Sequence, residues 1–129
     1  MKTLLFSILF STFSFAEISI MISHNNTLTK VSRQQIVNIF LKKTSSINGI
    51  KVTPIDSSNR KLYREFYRKV IKKTPKQIHA YWVKEIFSGN KKPPKKLSSK
   101  ALKNALRHNK KIIGYTKGSL GGKLILTIR

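Results

Sequence analysis

Cysteine is absent from the chain. That excludes disulfides, thiolate metal sites and thiol nucleophiles. Acid is almost absent too: 4 Asp+Glu stand against 27 Lys+Arg, a formal net charge of +23. The acids are Glu17, Asp56, Glu65 and Glu85, and none follows Glu85. Such a chain is poorly supplied for chemistry by paired carboxylates. Its three histidines, His24, His79 and His108, fall one to a region, a spacing that suits no metal. A Ser-His-Asp set would need Ser57 or Ser58 with His24 and Asp56, and no nucleophile elbow accompanies them. These absences argue against an enzyme and imply neither cofactor nor metal. After the first residues no apolar run approaches the length of a membrane span.

What is present begins with MKTLLFSILFSTFSFA. Lys2 supplies a positive start, Leu4 to Phe15 is largely apolar, and Ser14-Phe15-Ala16 offers small residues for cleavage. This reads as a secretory signal peptide over 1–16, leaving a single exported, periplasmic domain over 17–129. The basic surface favours small oxyanions, anionic lipid or other polyanions. Nine cations lie between Lys91 and Lys111, with no aromatic between Phe87 and Tyr115 to act as a stacking platform.

The spacing of apolar residues predicts alternating strands and helices. Ile18, Ile20 and Ile22 alternate as a first strand. Ser32 and Gln35 form a capping box before a helix that buries Ile36, Ile39 and Phe40. Lys42–Lys51 reads as a loop with a turn at Asn48-Gly49. Thr74 to Gln77 is a second capping box with Pro75 at the first helical position, and its helix presents Ile78, Trp82 and Ile86. Pro93-Pro94 blocks helix and central strand alike. Ser98 or Ser99 caps a helix with Leu102 and Leu106 inward. Ile112–Thr116 and Leu124–Ile128 are the last strands, joined through Gly118–Gly122. The expected fold is α/β, one three-layer lobe with a mixed sheet and about four helices.

The organising stretch is VTPIDSSNRKLYREFYRKVI, residues 52–71. A short strand at Val52–Ile55 turns through Asp56-Ser57-Ser58-Asn59 into a helix from Arg60. Leu62, Phe66 and Val70 recur every four residues, with Tyr63, Tyr67 and Ile71 beside them. A strand feeding a helix leaves backbone N–H groups without intrahelical partners, and with the helix dipole these seat an anion. Arg60 and Lys61 carry the wrong charge for an empty helix start, a conflict that an anion relieves. The plain alternative is that Ser58 or Asn59 caps the helix and the two cations are solvated.

The order of motifs resembles that of phosphate-binding proteins. Val31-Ser32-Arg33-Gln34-Gln35-Ile36-Val37-Asn38-Ile39-Phe40-Leu41-Lys42-Lys43 resembles the LSxxQLxxIFLGK helix of the phosphate ABC transporter substrate-binding family. Ile55-Asp56-Ser57-Ser58-Asn59-Arg60, followed by Phe66, resembles that family's R-x-D-G-S-G-T phosphate loop. Ile112-Ile113-Gly114-Tyr115 resembles its GAIGY strand. The chain looks like a short single-lobe member of the type II periplasmic binding protein superfamily. The resemblance implies a non-enzymatic anion-binding domain, with Asp56, Ser57, Ser58 and Asn59 around phosphate or a similar oxyanion; Arg60, which departs from the family loop, is expected to supply the cation that Pro54 replaces. In that scheme Ser57, Ser58 and Asn59 donate, Arg60 gives charge and Asp56 orients.

The departures are specific. Pro54 stands where the family has arginine, Ser57 and Asn59 where it has loop glycines, Arg60 at its threonine and Lys42 at its helix-end glycine. Full-size relatives close two lobes over the ligand, and this chain has room for about one. A second reading, from another class, is a basic interaction module with a non-functional pocket. It would use the 91–111 surface to bind an anionic partner: envelope lipid, nucleic acid or an acidic protein. A membrane protein partner is a further expectation, tied to no particular surface.

Overall fold

The computed structural model describes residues 17–89, 91–118 and 121–129, so the proposed signal peptide lies outside the described residues. Chain order is β1 (Ile18–Ile22), α1 (Arg33–Phe40), β2 (Ser46–Ile47), β3 (Ile50–Lys51), β4 (Thr53–Ser57), α2 (Arg60–Phe66), α3 (Pro75–Phe87), β5 (Lys95–Leu97), α4 (Ser99–His108), β6 (Ile112–Thr116) and β7 (Lys123–Ile128). Five strands form one sheet in the order β5-β4-β6-β1-β7. β4 runs parallel to both β5 and β6, while β1 is antiparallel to β6 and to β7. The fold is therefore α/β with a mixed five-stranded sheet and four α-helices among the described residues.

Strand alternation divides the interior into two cores. Ile18, Ile20, Ile22, Ile113 and Tyr115 join the larger one with residues of α1, α2 and α3. Met21, Ile55 and Ile112 point the other way, onto Leu102 and Leu106 of α4. Gly114 lets α4 settle: a Cβ there would come within 2.6 Å of a Leu102 methyl. The helices thus cover both faces, giving three layers.

Local signals act as their chemistry dictates. Both capping boxes form, Ser32 with Gln35 and Thr74 with Gln77. Ser98 caps α4 by accepting from the Ala101 amide at 3.2 Å. The stretch expected to be loop before β4 instead makes a small hairpin, β2 with β3. Asn48 and Gly49 both take positive φ (50° and 82°), which matches the twist of a two-residue hairpin turn. β5 is a second element that the apolar spacing does not signal. It follows the proline pair as an edge strand, where the missing donors cost no ladder bond.

The long helix expected from Arg60 to Ile71 changes character halfway. α2 ends at Phe66, and Tyr67–Ile71 is a π-helical turn closed by Lys72 in the left-handed region (φ 64°). The four-residue spacing supplies the reason. On an α-helix, residues four apart drift around the axis by about 40° per step. A wider i→i+5 turn takes up that drift and keeps Phe66, Tyr67, Val70 and Ile71 buried together. Phe66 stacks on Tyr115 with ring centroids 3.7 Å apart.

Candidate anion site at the carboxyl edge of the sheet

β4 and β6 pair by backbone only at Thr53–Ile112 and Pro54–Ile113. Pro54 has no N–H to extend the ladder. Beyond it a side chain completes the hydrogen bonding: the Ser57 amide donates to the Tyr115 hydroxyl at 2.9 Å. Chain connections also leave these two strand ends in opposite directions. From β4 the chain crosses through α2 and α3 to β5, and from β6 it goes on toward β7. In open α/β sheets such a divergence is where a ligand crevice forms.

Beneath the crevice lies Asp56, 3% exposed. The Tyr67 hydroxyl donates to its carboxylate at 2.8 and 3.1 Å, and the Tyr115 hydroxyl donates to Oδ1 at 3.0 Å. Burial pushes this carboxyl up from 3.8 to about 7, opposed by the two tyrosine hydrogen bonds and by the charges of Lys96 and Lys42. Burial and the Asp56 charge also hold Tyr67 and Tyr115 well above the ordinary phenol range. Tyr63, pushed up to about 12 mainly by burial, packs against Tyr67 and carries the Lys96 ammonium 4.5 Å above its ring. This is a buried polar network, and Asp56 orients tyrosines.

The turn above it is largely closed by its own hydrogen bonds. Ser57, 7% exposed, accepts the Asn59 amide on Oγ at 3.0 Å. The Ser58 amide donates to the Leu97 carbonyl at 2.9 Å. Asn59 Oδ1 caps α2 by accepting from Leu62 N at 3.0 Å. The plain capping alternative therefore holds for Asn59, and the expected outward donation by the amides of Ser57, Ser58 and Asn59 does not. What faces solvent is the Ser58 hydroxyl, with Arg60 and Lys61 exposed in the first turn of α2. The amides of those two cations have no intrahelical acceptor.

A pocket of about 310 Å³ opens beside this helix start, lined by Asn59, Lys61, Leu62, Glu65, Ser99, Thr116 and Lys117. It brings together the beginnings of α2 and α4 and the end of β6. Neither helix has an acid in its first turn. Lys117 bridges to Glu65 at 2.6 Å, and that contact holds the Glu65 carboxyl below its usual range. Arg60 faces elsewhere. It lines a larger groove of about 670 Å³ with Lys61, Arg64, Arg68 and residues 72–75.

The five sequence-chosen residues are therefore split, with Asp56 and Ser57 inside and Ser58, Asn59 and Arg60 outside. Ser99, Thr116 and Lys117 were missed as lining residues. Only the expected helix start at Ser98-Ser99 hinted at one of them. Among the described residues no group of three His, Asp or Glu could hold a metal. All three histidines are exposed. Comparison with family models, with curated proteins and with solved structures finds no match for this chain.

Proposed function

We propose that this chain is an exported single-lobe domain that binds phosphate or a similar oxyanion, related to the solute-binding components of phosphate ABC transporters. The observation that carries the reading is the convergence of two helix starts, from β4 and from β5, on one open pocket at the carboxyl edge. Helix starts concentrate unpaired N–H groups and positive potential. In this reading the amides of Arg60 and Lys61, the Ser58 hydroxyl and Ser99 donate to the anion. Lys61 and Lys117 supply charge, and Arg60 adds to the local field. Asp56 acts from below, holding Tyr67 and Tyr115 and through them the turn. The ordered recurrence of the three family-like motifs supports the same assignment.

NMR titration of residues 17–129 with phosphate and with sulfate at low salt tests it. Saturable shifts are expected at residues 58–61, 99 and 116–117. Glu65→Gln frees Lys117 and removes the only carboxylate lining the pocket, so phosphate should bind that variant several-fold more tightly. Absence of shifts at those residues up to millimolar anion overturns the proposal.

A further inference from the structure

The last turn of α3 ends in an unusual surface. Val83, Ile86 and Phe87 are 38%, 55% and 88% exposed. Their spacing puts them on one helix face. Next to them is a cup of about 460 Å³ lined by Lys42, Ile86, Gly89, Lys91 and Lys92, with no acid in its wall. Glu85, the acid of this helix, acts on Tyr81 instead. Lys42 sits in the left-handed region at φ 55°. A non-glycine residue is strained there, so a lysine is held where glycine would be easier. Its ammonium is also drawn below its usual range by burial and by the nearby Lys92 charge.

We propose that this end of the molecule docks on an anionic lipid bilayer, with a headgroup phosphate in the lysine cup and Phe87 and Ile86 inserted beside it. The two features ask for different chemistry. Three ammonium groups need an anion, and a free anion would leave the apolar residues unused. An exposed aromatic next to lysines matches the boundary between headgroups and acyl chains. A second copy of the chain is a poor occupant, because each copy carries +23. The cup shares no lining residue with the pocket proposed above, and the inference does not depend on that reading.

Vesicle co-sedimentation of residues 17–129, which hold both cores whole, provides the test. Vesicles of phosphatidylcholine with and without phosphatidylglycerol serve as probes at physiological salt. Binding is expected only with the anionic lipid. It should fall about fivefold for each of Lys91→Gln and Lys92→Gln, and at least as much for Phe87→Ser. Lys110→Gln with Lys111→Gln removes the same charge as Lys91→Gln with Lys92→Gln, but from a different pocket ahead of β6, and should change binding little. Should Phe87→Ser bind as the parent does, or the 110–111 pair lose as much as the 91–92 pair, the attraction is only that of a very basic protein and the proposal fails. Capture of an acidic protein without vesicle binding overturns it as well.

Discussion

Asp56 and Ser57 on one side, and Ser58, Asn59 and Arg60 on the other, are neighbours in sequence and opposites in environment. The first two lie in β4, beneath α2 and against Tyr115 of β6. The last three are past the end of the sheet, with water on one side. Within one motif, then, polar residues serve two ends. The inner pair closes a buried network whose loss is felt as stability. The outer three shape a surface whose loss should be felt as binding. The comparison teaches that one short polar string can be half structural. The strand boundary, two residues further on than expected, decides where the halves meet.

Breaking the inner half should have the largest effect. A carboxyl raised from 3.8 to about 7 on folding binds its proton more tightly in the native state. Its contribution is therefore fully present below about pH 4 and is lost as pH rises through 7. The loss is on the order of 4 kcal/mol. Asp56→Asn should remove this slope, and urea denaturation of both chains between pH 4 and 8 checks it. Glu65, whose carboxyl is lowered, works in the opposite sense but equally in both chains. If the two proteins show the same pH slope, Asp56 is not the buried titrating group.

Tyr115→Phe comes next, at about 2 kcal/mol, because one hydroxyl satisfies both the Ser57 amide and Asp56. The cost should be greater at pH 8 than at pH 5, since this hydrogen bond favours the ionised carboxylate. Asn59→Ala sits at the border between the halves. It should cost about 1 kcal/mol through loss of the α2 cap, read as a lowered melting midpoint. The outer half should show the smallest stability effect. Ser58→Ala with Arg60→Gln should stay within about 0.5 kcal/mol of the parent while phosphate affinity measured by calorimetry drops. A large loss of stability there, with unchanged affinity, would reverse the division.

Much of the fold was legible because its signals are local. Ser32–Gln35 and Thr74–Gln77 announce helix starts through side chains that reach only three residues. The four-residue stripe from Leu62 to Ile71 marks a buried helical face, although its mismatch with the α-helical period does not by itself specify a π turn. The hairpin at Asn48-Gly49 showed its turn but not its strands, which are two residues each and too short to alternate visibly. The site was harder to read. Ser99 and Lys117 join it through strand order, and no spacing reports that β5 and β6 flank β4.

The sequence alone determined the basicity, the absence of thiol chemistry, the capped helices and the apolar stripes, since each depends on composition or on residues within about a turn. Tertiary structure decided that β1 lies between β6 and β7, that Asp56 is enclosed by tyrosines, and that two helix starts share one pocket. Those outcomes rest on contacts between residues far apart in the chain, such as Tyr115 with Asp56. Which groups lose water is settled only when the sheet closes and its two faces are covered.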